Sequence, residues 1–172
     1  MAYNVSMLAK DQVLALLNDE NPRSLPFSLD NVILGVPTAA QGETPERNTE
    51  LTIEGIPTKG YKGTTTIKYD RIALQEFENA VPSQIQVEGD ITLENILAGF
   101  NAFYGSNLQL DDIRNDLILP GALTSTPVEW LMVASAGSYA YRGQVTLRIQ
   151  AADMDLAVAI SKPVLDGLTL TM

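Results

Sequence analysis

The chain has 172 residues, a net charge of −10, and neither Cys nor His. That excludes disulfides, thiolate nucleophiles, Cys-based zinc sites and His-centred triads, and it removes the commonest general base. Its few, scattered basic residues argue against nucleic acid and anionic membranes as partners, while 45% apolar content is that of an ordinary globular chain.

The opening Met1 to Ser6 has no basic segment and no apolar run, so the reading is of a protein made and folded in a reducing cytoplasm, with no membrane span. Ser6 is placed to cap a helix from Met7 to Asn18, with Ala9, Val13, Leu16 and Leu17 on one face and Asn21-Pro22 ending it. Val32 to Val36 reads as a short buried strand. Thr38 to Asn48 is polar and reads as an exposed loop, the best candidate for an arm that reaches a partner. Thr49, Leu51 and Ile53 alternate as a strand, Pro57 to Gly60 turns the chain, and Thr64 to Tyr69 returns it. Asp70 to Asn79 fits neither period, and Ile85 and Val87 mark a short strand.

Thr92 is placed to cap a second helix, with Leu93, Ile96, Leu97, Phe100, Phe103 and Tyr104 forming its stripe and Gly105 closing it. Val128 to Ala134 is nearly all apolar and predicts a strand covered on both faces. After a turn at Ala136 to Ser138, Val145, Leu147 and Ile149 face one way and Gln144, Thr146 and Arg148 the other. Val158 to Ile160 and Leu168 to Leu170 read as closing segments.

The same pattern occurs twice. Tyr61-Lys62-Gly63 before Thr66-Ile67-Lys68 matches Tyr141-Arg142-Gly143 before Thr146-Leu147-Arg148, roughly 80 residues apart. Upstream, Val13-Leu14, Leu17 and Asn18 match Ile96-Leu97, Phe100 and Asn101. Phe27 to Val32 matches Leu108 to Ile113, and Glu50 to Ile53 matches Glu129 to Met132. Downstream, Val81-Pro82 matches Lys162-Pro163. The expected fold class is α+β: two similar halves, residues 1–88 and 89–172, each one helix plus a small antiparallel sheet, with hairpins centred near Gly60 and Ala140. A single half of this size buries too little surface to be stable alone, so the halves are expected to pack together, as two small domains or one pseudo-symmetric unit.

Few residues suggest chemistry. Asp111, Asp112 and Asp116, with Asp30 in the first copy, are the notable acidic group, but they lack the Ca²⁺-loop spacing; the simpler reading is that Asp30 and Asp111 bond backbone N–H groups and set a turn. Lys59, Lys62, Lys68 and Arg71 cluster around the first hairpin and read as a solvated face. Trp130 reads as core with its indole N–H bonded; with Tyr139 and Tyr141 it is also the candidate platform of an alternative function, a carbohydrate or cell-surface binding module. No catalytic, cofactor-binding or metal-binding residue is assigned, and a carboxylate-dependent hydrolase ranks third.

A helix ending near Asn, Phe27-x-x-Asp30-x-Val32 where the pattern is Leu-x-x-Asp-x-Val, Asn48-Thr49 before a strand, and Gly-Tyr-x-Gly-x-x-Thr-h-x-Tyr-Asp-Arg at Gly60 to Arg71 resemble a repeated domain of virion structural proteins from large tailed bacteriophages. The second half departs from it, with Ala140 for Gly60, Ile149-Gln150 for Tyr69-Asp70, and no Arg at the Arg71 position. The resemblance implies a non-enzymatic, many-copy component of a virion, made in the host cytoplasm. Head decoration or neck is the favoured position and tail accessory the next. Its partners would be itself and other virion proteins such as the major capsid or tail proteins. The strand ending near Thr49 is the expected docking edge.

Overall fold

The computed structural model describes residues 4–41, 47–78, 84–121, 123 and 126–152. The expectations at 81–82, 158–160, 162–163 and 168–170, and the loop residues 42–46, lie outside the described residues. The architecture is α+β, with three helices and three small sheets among the described residues.

The first helix, α1 (Ala9–Glu20), starts later than Ser6 predicts: Leu8 holds the cap position without a capping side chain, and Ser6 Oγ bonds Asn4 Oδ1 at 2.7 Å instead. The expected buried strand shortens to β1 (Val32–Leu34). Val32 is buried while Ile33 on the opposite face is 54% exposed, and Val36, beyond the strand, is 72% exposed. Part of the expected loop is a short strand, β2 (Thr38–Ala39). β1 and β2 both pair with β3 (Thr49–Gly55), whose other side pairs with β4 (Thr64–Tyr69). Thr49 therefore begins an interior strand and offers no docking edge; among the described residues β1, β2 and β4 are the outer strands of this sheet. Val13 and Leu14 of α1 cover this sheet, packing with Val32, Leu51, Ile53 and Tyr69.

The ambiguous stretch resolves into β5 (Ile72–Ala73) and a single helical turn, α2 (Gln75–Glu78), followed by β6 (Gln84–Val87). The second helix of the repeat, α3 (Leu93–Tyr104), starts as predicted: Thr92 Oγ1 accepts the Asn95 N–H at 3.2 Å, and Gly105 closes it at φ +62°. β7 (Val128–Val133) buries Trp130 and Met132 but exposes Glu129 and Leu131, so one face is covered rather than both. A parallel pair joins β8 (Tyr141–Arg142) to β5, and β9 (Gln144–Ala151) lies between β7, antiparallel, and β6, parallel. The second sheet is thus mixed and not purely antiparallel, because its third strand arrives from the first half of the chain.

That arrival also shapes the second core. Ile72, Leu74, Phe77, Ile85 and Val87 pack with Ile96, Phe100, Met132, Tyr141 and Leu147. Phe77 sits edge-on to Phe100, ring centroids 5.1 Å apart, and 6.3 Å from Tyr141. Each such side chain contributes about 1.5–3 kcal/mol by leaving water. Packing therefore does not break at residue 88: Ile72, Leu74, Phe77, Ile85 and Val87 belong with the second core.

Matched positions make matched bonds. Asn18 Nδ2 donates to Phe27 O at 2.9 Å and its Oδ1 accepts the Phe27 N–H at 2.7 Å; Asn101 does the same with Leu108, both at 2.9 Å. Asn31 Oδ1 accepts the Ser28 N–H, as Asp112 Oδ2 accepts that of Gln109. The Gly55 N–H reaches Gly63 O and the Ala134 N–H reaches Gly143 O, 2.8 and 2.9 Å; Gly63 and Gly143 both have positive φ. The Glu50–Lys68 cross-strand pair has its counterpart in Glu129 opposite Arg148.

Close packing of α3 on β6 is checkable. A Cβ on Gly99 would lie 2.3 Å from Gln86 O, so Gly99→Ala should force β6 away and lower stability by about 1–3 kcal/mol in urea unfolding. Gly121→Ala, where a Cβ meets nothing within 4 Å, should leave the midpoint nearly unchanged.

Candidate functional site

The residues that carry the resemblance converge on one polar network at the end of β4. Asn48 spans the start of β3 and the chain after β4: its Oδ1 accepts from the Arg71 N–H at 2.9 Å and from Thr49 Oγ1 at 2.6 Å, while its Nδ2 donates to Arg71 O. Asp70 accepts the Asn48 N–H at 2.8 Å and pairs with Arg47 at 3.0 Å. Arg71 Nε donates to the buried Thr49 Oγ1 at 2.9 Å.

From there the network crosses to the second half. Arg71 Nη1 donates to Ala136 O and Ser138 O, both at 3.1 Å, and the Tyr69 hydroxyl donates to Tyr139 O at 2.7 Å. In return, the Tyr139 hydroxyl donates to Gly35 O at 2.8 Å, its ring lies 5.3 Å from Lys10 Nζ, and Gln12 Nε2 donates to the Tyr141 hydroxyl at 3.1 Å. Burial pushes the Tyr69 hydroxyl far above its ordinary pKa, the nearby Arg71 charge pulling only partly the other way. Burial likewise lowers the Arg71 pKa, partly offset by Tyr69. The end of one hairpin is thus clamped onto the turn of the next.

On the second side, Ser138 Oγ donates to Asp112 Oδ1 at 2.6 Å and accepts the Tyr141 N–H at 3.2 Å, while Asp112 O accepts the Ser135 N–H at 2.7 Å. Asp112 therefore shapes the turn that receives Arg71. Burial raises its pKa, and the hydrogen bonds from Ser138 and Gln109 pull it back.

The other candidates fall elsewhere. Asp30 and Asp111 are exposed; the turn-setting residues are their neighbours Asn31 and Asp112, which are buried. Asp116 pairs with Arg114, so the acidic group is dispersed, and no group of three or more acidic residues able to hold a metal exists among the described residues. The basic cluster also divides: Lys59 and Lys62 are exposed, Lys68 pairs with Glu50 at 3.3 Å, and Arg71 serves the clamp. Trp130 is buried with its indole N–H on Ile118 O at 3.0 Å, and Tyr141 is wholly buried. The sequence carries no signal for the role of Ser138; for the Asn18 and Asn101 clasps the signal is their matched positions. Beside the clamp, a groove of about 950 Å³ runs between α1 and β4, lined by Leu16, Leu17, Ile67 and Lys68 among others.

The chain belongs to a family of unknown function, DUF7941, which it matches over residues 2–172. No curated protein and no solved structure matches it. No helix among the described residues is long and apolar enough to cross a membrane.

Arg71→Ala strips the carbonyls of Ala136 and Ser138 of their donor. It should cost about 1–3 kcal/mol and speed hydrogen exchange in the turn around residues 136–140. Asp112 gives a pH test. A carboxyl whose folded pKa is raised contributes stability below the ordinary Asp value of about 4, and that contribution is lost as pH rises through the raised value. Asp112→Asn lacks this loss, so its urea midpoint should gain on the wild type's from about pH 4 to neutrality.

Proposed function

We propose that the protein is a non-enzymatic structural component of a tailed-bacteriophage virion, present in many copies and bound to copies of itself and to neighbouring shell or tail proteins. A head-associated position, decoration or neck, is favoured over a tail accessory one. The chain would be made in the host cytoplasm and carried on the particle. The observation that carries this reading is where the resembling residues sit. Asn48, Thr49 and Asp70 brace the end of β4 against the start of β3, and Tyr69 and Arg71 fasten that end to the second half. Their polar atoms go into construction, as a building block requires.

Two further features support it. Val36 and Ile118 are 72% and 92% exposed, and among the described residues no strand pairs with the outer side of β4, which together give apolar and backbone surface for contacts that typically bury ~1,600 Å². The carbohydrate reading lacks such support: Trp130 and Tyr141 are buried, and the Tyr139 hydroxyl is committed to Gly35 O.

Quantitative mass spectrometry of purified particles tests the reading. The chain should be present in many copies per particle and survive the washes that strip host proteins. Presence in the infected lysate but absence from particles would overturn it.

A further inference from the structure

The two halves of the chain meet end to turn. Tyr69 and Arg71, at the end of β4, donate to carbonyls of the turn at 136–139. The matched turn in the first half is Pro57 to Gly60. Gly55 bonds Gly63 as Ala134 bonds Gly143, and the Ile56 N–H meets Asn31 O as the Ser135 N–H meets Asp112 O. Pro57, Thr58, Lys59 and Gly60 are all exposed, whereas Ser138 and Ala140 of the received turn are buried. The counterpart of the clamping end is the end of β9, where Ala151 stands at the place of Arg71. Ala151 pairs with Val87, the last residue of β6, and the Ala152 N–H donates to Val87 O. Glu88 and Asp90 follow directly, and Glu94 lies in the first turn of α3; all three are exposed.

These two surfaces carry opposite charge. No acidic residue lies between Glu54 and Asp70, a stretch that holds Lys59, Lys62 and Lys68. No basic residue lies between Arg71 and Arg114, a stretch that holds Glu88, Asp90 and Glu94. Lys68 pairs with Glu50, but Lys59, Lys62, Glu88, Asp90 and Glu94 enter no ion pair among the described residues. Beside the lysines stands an apolar side chain. Leu25 O accepts from the Tyr61 hydroxyl, a Cβ on Gly60 would lie 2.5 Å from Leu25 Cδ2, and Leu25 is 45% exposed. On a chain of net charge −10, an acidic end is repelled by most of another copy and attracted by the part that is free of carboxylates.

We infer that the turn at residues 57–62 receives the acidic end at residues 88–94 of a second copy of this chain. The contact repeats the end-to-turn meeting of the two halves, with lysine and carboxylate in place of arginine and carbonyl. It is heterologous, so it closes into a ring or continues as a filament. Exposed ion pairs are individually weak, so the assembly is sensitive to salt and to concentration, while the charges decide which surface meets which. The choice of a second copy rests on the self-assembly part of the proposed function; the two charged surfaces do not depend on a virion.

Charge reversal in the full-length protein tests this. One variant carries Lys59→Glu with Lys62→Glu, the other Glu88→Lys with Asp90→Lys. By sedimentation velocity over a concentration series at low salt, the wild type should run above the 18.6 kDa of one chain. It should fall to one chain at about 1 M salt, where charges are screened beyond about 3 Å. Each variant should run as one chain at low salt. An equimolar mixture of the two brings each reversed surface a complementary partner, so assembly should return, which also guards against misfolding as the cause of its loss. A chain with all four substitutions should assemble by itself. Variants that assemble like the wild type would overturn the inference while leaving self-assembly through another surface intact. Single-chain variants that stay single when mixed would overturn the pairing of these two surfaces. A wild type that stays at one chain at every concentration would overturn the inference together with the self-assembly it rests on. Particles lacking the chain would sink the virion reading alone.

Discussion

A strand at the edge of a sheet carries a row of N–H and C=O groups that the sheet itself does not satisfy. In this chain the edge of β9 is met by β6, which comes from the other half. Much else depends on that pairing. It brings Ile72, Leu74 and Phe77 into the second core, and it explains why Gly99 faces a backbone where a side chain would clash. It is also why the two halves read as separate in sequence but not in packing. The clamp of Tyr69 and Arg71 on the turn at 136–139 stands where the chain crosses from one sheet to the next.

Within each half the local rules are the same. An Asn near the end of the helix takes both backbone groups of a residue beyond it, and an Asn or Asp after that sets the next turn. Amide and carboxylate have equal reach, so either accepts the backbone N–H. They differ in the second bond. Asn31 donates to Pro26 O, whereas Asp112 accepts from Ser138 Oγ, which links the turn of the second half to the site that receives the clamp. Both turns are docked through the backbone, Asn31 O accepting the Ile56 N–H as Asp112 O accepts that of Ser135; the change of side-chain chemistry adds the link to Ser138 in the second half.

Periodic features are legible in the sequence because one residue pattern decides them. The alternation of Val145, Leu147 and Ile149, the stripe of α3 with its Thr92 cap and Gly105 stop, and the two Gly turns are all of this kind. The α+β class follows from them. What is not legible depends on partners distant in the chain. Ile72, Leu74 and Phe77 have no clear period because a core built from elements distant in the chain, and not one helix or strand face, decides their burial. β7 looks buried on both faces, since Leu131 is apolar, yet Leu131 stays exposed. Asp30 and Asp111 draw attention by charge, although Asn31 and Asp112 hold the bonds. The clamp was visible only as a set of resembling letters; that Arg71 reaches carbonyls of the second half is a fact of tertiary structure.

The parallel pairing of β6 with β9 also bears on how the protein is made. The first hairpin joins neighbouring residues and closes quickly, but Ile85 must wait for Ile149. On the ribosome, the apolar side chains of residues 72–87 emerge long before the sheet that will cover them. During that interval they stand exposed, and a sister chain on the same messenger that already displays β9 is a competing destination. Speed of synthesis and local crowding would then govern whether each chain completes itself or is entangled with its neighbour.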